Sequence, residues 1–191
     1  MPPTLTPPAE PKTLDLGPQF RAYKLDQNAI DAEARTVELA FSSEEPYDRW
    51  WGTEVLDHKP ESIRLGRLLD GGAVLLEHDT GKHVGIVERA WIDDDQVARA
   101  VVRFSKSSLG EEAFQDIVDG IKPHVSVGYR IHRAVLEESS DEGDTYRITD
   151  WEPYEISFVA IPADPTVGVG RAAGDESKNQ VQIETRSNHM P

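Results

Sequence analysis

The run Lys122-Pro-His-Val-Ser-Val-Gly-Tyr-Arg-Ile131 constrains this chain more than any other stretch. Its apolar residues recur at every second position, and an extended strand sends alternate side chains to opposite faces. Val125, Val127, Tyr129 and Ile131 are thereby committed to a core, and His124, Ser126, Gly128 and Arg130 to the other face. The expectation is a serine displayed on an accessible face, beside a glycine that lets another chain come close.

The same short period marks most of the chain. Phe20-Arg-Ala-Tyr-Lys24, Arg35–Phe41, Ala73–His78, His83–Glu88, Arg99–Phe104, Tyr146–Ile148 and Tyr154–Val159 all read as strands. Asp93-Asp-Asp95 reads as a turn, and Glu137–Asp144 as a solvated hairpin tip. One helix is expected, capped by Ser107 or Ser108, with Phe114, Ile117, Val118 and Ile121 as its apolar stripe and Gly120 and Pro123 ending it. Many short strands with one or two helices point to an α+β, mainly β fold, a closed or partly open β-barrel surrounded by a few helices.

Residues 1–18 hold six of the 13 prolines and read as a flexible lead. Residues 172–191 are polar and aperiodic and read as a flexible tail, leaving one domain over 19–171. The sequence has no cysteine, which excludes disulfides, thiolate metal sites and a cysteine nucleophile. It has no apolar run of membrane-spanning length and no signal-peptide pattern at its start, so no membrane role and an intracellular setting are expected. A net charge of -15, without a Lys/Arg cluster, argues against nucleic acid as a partner.

Three residue types suited to hydrolysis fall on separate strands. Ser126 needs a base within hydrogen-bond reach to become a nucleophile. His78 shares a strand face with Val74 and Leu76, so it should emerge beside the core, partly desolvated and neutral. Glu155 shares a face with Ser157 and Val159, and a half-buried acid there should be paired, either with the Nδ1–H of His78 or with an arginine such as Arg130 or Arg147. His124 competes as base or orienting group, and Asp150 competes as the acid. His58, His78, Asp79 and His83 offer metal-ligand chemistry as a separate alternative.

The segments Glu54–Pro60, Ser62–Leu68, Val74-Leu-Leu-Glu-His-Asp79, Val84–Val87, Val125-Ser-Val-Gly-Tyr129 and Glu155-Ile-Ser-Phe-Val-Ala-Ile-Pro-Ala163 together resemble the prohead serine proteases of tailed bacteriophages, in that family's order. The resemblance implies a fold distantly similar to herpesvirus assembly proteases. It implies Ser126 as nucleophile and His78 as base, with Glu155 as the best match for a third member that varies among relatives. It implies a serine endopeptidase that cleaves scaffold protein, major capsid protein or itself inside an assembling procapsid in the host cytoplasm; no cofactor or metal is expected. Distant relatives dimerise, so a homodimer is a further expectation. A weakly active scaffolding module on the same fold is the competing reading.

Overall fold

A computed structural model describes residues 12–24, 29–141, 143–161 and 180–185. In chain order its elements are β1 (Lys12–Asp15), β2 (Gln19–Lys24), β3 (Ile30–Asp31), β4 (Thr36–Ser42), β5 (Tyr47–Arg49), β6 (Gly52–Leu56), α1 (Gly66–Leu69), β7 (Ala73–Leu76), β8 (Asp79–Ile92), β9 (Ala98–Phe104), α2 (Ser108–Val118), β10 (His124–Ser140), β11 (Gly143–Val159) and β12 (Gln180–Thr185). The class is mainly β, as the alternation requires.

The strands join one mixed sheet with the order β1-β12-β10-β11-β7-β8-β9-β4-β3. β2 is added on β10, and β6 on β11 carries β5. Among the described residues the ends of this path do not pair, so strand pairing does not close the expected barrel. Side chains bridge part of the gap. Arg21 on β2 donates to the carbonyl of Glu45 (2.8 Å), and the Ser43 amide donates to the Tyr23 hydroxyl (3.1 Å). No described helix is long and apolar enough to cross a membrane.

The β10–β11 hairpin is the spine of the sheet. Its strands pair from His124↔Val159 to Ser140↔Gly143, so most of the expected loop at 137–144 is ladder. Val125, Val127, Tyr129 and Ile131 are all fully buried, as the alternation dictates. Tyr129 packs edge-on against buried Trp151 (5.6 Å between centroids), and Phe104 meets both Phe114 and Phe158 at 5.3 Å.

Three expectations change. Ser107 does cap α2, accepting from the Gly110 amide (3.1 Å), but the buried face is Gly110, Ala113, Phe114 and Ile117. Val118 and Ile121 are exposed, because the helix ends at Val118 and Gly120 turns the chain away with φ +72°. β1 lies within the stretch read as lead and β12 within the stretch read as tail. β12 adds parallel to β10 and buries Val181 and Ile183, an apolar pair spaced for one strand face that two residues alone do not advertise. Val167–Arg171 and His189 lie outside the described residues.

Candidate active site

Four adjacent strands, in the order β2-β10-β11-β7, hold the candidate residues. Register places Ser126 between Ala22 on β2 and Ser157 on β11, and Gly128 between Phe20 and Glu155. These neighbours correct the expected open display of the serine. Ser126 is only 2 % exposed, because both flanking strands and the ring of His78 leave its side chain little free space.

His78 does not end a strand. β7 stops at Leu76, and Glu77 and His78 form a two-residue turn into β8, closed by the pair Leu76↔Asp79. Both have left-handed backbone, with φ +54° and +58°. Primed hairpin turns require positive φ, which Asn and Gly supply without strain. For a residue with a full side chain the left-handed region costs roughly 1–2 kcal/mol, so the surroundings must hold it there. They do so through several bonds. The Glu77 amide donates to the Phe158 carbonyl (3.1 Å), the His78 amide to Ser157 Oγ (3.2 Å), and the Ala160 amide to Glu77 Oε1 (2.9 Å). The Phe20 ring rests against the imidazole at 4.1 Å between centroids.

The imidazole bridges the other two groups. His78 Nδ1 is 2.7 Å from Glu155 Oε1, and Nε2 is 2.9 Å from Ser126 Oγ. Glu155 is 4 % exposed, and with its carboxylate as the acceptor Nδ1 would be the nitrogen that carries the proton. Nε2 then presents its lone pair to the serine hydroxyl, within reach for proton transfer. The second carboxylate oxygen is also engaged, since Ser157 Oγ donates to Glu155 Oε2 (2.5 Å). Ser157, fully buried, thus ties the carboxylate to the backbone of the histidine turn.

Gly128 leaves room for the acid. A Cβ there would lie 2.3 Å from Glu155 Oε1 and 2.9 Å from two ring carbons of Tyr154. Tyr154 itself is half-buried, and burial followed by the Glu155 charge pushes its phenol up to about 12.

The alternatives separate. Asp150 pairs with Arg64, whose Nε donates to it at 2.6 Å. His124 stands opposite Val159, with the Nδ1 of His78 already engaged by Glu155. Arg147 bonds Glu137 and Glu44. No group of three His, Cys, Asp or Glu side chains that could hold a metal ion occurs among the described residues. His58 is buried with its nitrogens on the Leu56 carbonyl (2.9 Å) and Ser42 Oγ (3.0 Å), His83 bonds the Gly85 carbonyl (2.7 Å), and Asp79 pairs with Lys82. Sequence reasoning missed Ser157 and Phe20 as parts of the site. For Ser157 a signal existed, since it lies two residues from Glu155 and on the same face.

Behind the site, Glu54 is fully buried and accepts from Arg21 Nε (3.0 Å), from Arg49 (3.5 Å) and from the Tyr129 hydroxyl. Arg49 also donates to the Phe20 carbonyl (2.9 Å), linking this charge cluster to the ring that backs His78.

Residues 68–180, more than half of the chain, match the family described as Caudovirus prohead serine protease. Over 148 residues the chain is 44 % identical to the major capsid protein of Halomonas phage phiHAP-1. That match takes in 76 % of this chain but only 24 % of the relative, so the chain spans about a quarter of the length of that protein. In fold it is similar to the bacteriophage T4 capsid assembly protease, with a TM-score of 0.51 at 15 % identity, covering 80 % of this chain and 99 % of that one.

Proposed function

The chain belongs to the caudovirus prohead serine protease family, and from that premise we propose that it is a serine endopeptidase of capsid maturation with Ser126, His78 and Glu155 as its catalytic set. The observation that carries the proposal is the continuous hydrogen-bonded line from Ser126 Oγ through the imidazole to Glu155, at 2.9 and 2.7 Å.

In this reading Ser126 Oγ attacks the scissile carbonyl while its proton passes to His78 Nε2. Glu155 holds the tautomer with Nε2 free and stabilises the imidazolium that forms. The imidazolium then protonates the departing amine, leaving an acyl-enzyme on Ser126. Water, deprotonated by the same Nε2, releases the acid and restores the serine. General-base help of this kind is typically worth about 10²–10⁴ in rate.

The substrates we propose are the major capsid protein and scaffold protein, and the chain itself, with cleavage inside the procapsid. The match to a quarter of a protein named as a capsid protein supports that link, because it places a segment like this one within such a chain. The closeness of Ser126 and His78 weighs against a purely scaffolding role.

A serine-directed phosphonate followed by peptide mapping tests the mechanism. Label is expected on Ser126 in the wild type and absent in Ser126→Ala and His78→Ala. Normal processing of co-expressed capsid protein by both variants would sink it.

A further inference from the structure

β10 carries Arg130 four residues beyond Ser126 on the same face. Tyr154 reaches that face as the extra residue of a bulge, since Gly128 pairs with Glu155 while Tyr129 pairs with Pro153. Its ring lies over Gly128. The Arg130 guanidinium is 5.8 Å from the ring centroid, and that of Arg67, from α1, is 5.7 Å.

Among the described residues, eight of the eleven arginines have a carboxylate within 4.0 Å; Arg67, Arg89 and Arg130 do not, and of these three Arg67 and Arg130 lie beside the same ring. Glu152, the register partner of Arg130, lies 3.5 Å from His132 instead. The phenol of Tyr154 stays protonated, and its hydroxyl has no hydrogen bond among the described residues. Among the described residues, a chain of net charge -15 thus offers no acceptor to these two guanidinium groups or to the phenol, further along the serine's own strand. Each guanidinium lies within 6 Å of the Tyr154 ring centroid, and a carboxylate docking beside that ring would gain charge-assisted bonds.

We infer that Arg67, Arg130 and Tyr154 form a subsite for an Asp or Glu side chain of the bound polypeptide, on the Arg130 side of Ser126. This rests on the protease reading above. Strand rise is about 3.3 Å per residue, so the acidic side chain belongs roughly two to four residues from the scissile bond. A polyphosphate is disfavoured as the ligand by the net charge of the chain.

The probe is a chymotryptic digest of a bacterial proteome, offered to the full chain in two forms. With Ser126→Ala as a trap, retained peptides should be enriched in Asp or Glu. That enrichment should fall at least tenfold on adding Arg67→Gln and Arg130→Gln, and in about 0.5 M salt, where screening is short-ranged. With the active chain, cleaved peptides should carry the acid at a fixed offset from the bond. Replacing it by Gln in one such peptide should raise KM about tenfold and leave kcat nearly unchanged, as for loss of a charge-assisted contact. Cleavage without acidic preference, a preference that survives both arginine substitutions, or a trap that retains nothing would each overturn the subsite. Arginine-dependent retention by the trap with no cleavage by the active chain would keep the subsite and refute the protease reading instead.

Discussion

Gly128→Ala is the sharpest perturbation of the proposed mechanism, because it adds one methyl group and removes no functional atom. Gly128 sits in a strand, so alanine fits its backbone, and the loss of chain entropy in the unfolded state favours the variant by roughly 0.4–1 kcal/mol. The new Cβ would stand 2.3 Å from Glu155 Oε1 and 2.9 Å from the Tyr154 ring. Ordinary contact needs about an ångström more, so the carboxylate must swing away. Its bond to His78 Nδ1 is 2.7 Å, and a displacement of about 1 Å takes it past hydrogen-bonding range. Overpacking costs about 1–3 kcal/mol, so net destabilisation should stay below roughly 2.5 kcal/mol, a shift of several degrees in Tm at this chain length. Catalysis should suffer far more. Losing the group that fixes the histidine costs up to about 10⁴ in a serine triad, and each decade is about 1.4 kcal/mol of barrier. We expect phosphonate labelling of Ser126 to slow by about 10²–10⁴ with the circular dichroism spectrum unchanged. Adding Glu155→Gln to Gly128→Ala should cost little more, since both remove one interaction. Labelling within threefold of wild type, or a Glu155→Gln effect as large in the variant as in the wild type, would refute the reasoning.

Ser157→Ala removes the donor to Glu155 Oε2 and the acceptor for the His78 amide; we expect labelling about 10–100-fold slower, with Ser157→Thr restoring part of it. Glu54→Ala leaves buried Arg21 and half-buried Arg49 without their counter-charge, and urea titration should show a loss of about 3–5 kcal/mol. Burial, partly offset by the Leu56 carbonyl, lowers the pKa of His58, which is therefore held neutral in the fold and takes up its proton more readily when unfolded. Its contribution to stability is present above about pH 6.5 and is lost as pH falls through the lowered folded value. Against wild type, His58→Gln should flatten the slope of stability with pH over that window.

The sequence by itself determined the strands with strong alternation and the order of the three candidate groups. The run around Ser126 could bury Val125, Val127, Tyr129 and Ile131 in only one way, and Glu155 and Ser157 had to share a face. Local periodicity reports which face a side chain takes, and that much is a property of a few neighbouring residues. Exposure is not such a property. Ser126 is covered because β2, more than a hundred residues earlier, pairs with its strand, and no pattern within β10 announces that partner. Nor could sequence place His78 on a turn with left-handed backbone: Glu-His is a poor turn pair by local preference, and it is held by Phe158, Ser157 and Ala160 from β11 and its end. Which of Glu155, His124 and Asp150 stands beside the imidazole is likewise a tertiary matter: Gly128 leaves space for the Glu155 carboxylate, and Arg64 engages Asp150. Sequence supplied the chemical groups and their faces; distance between them is set by strand pairing across the whole chain, which is where the site is made.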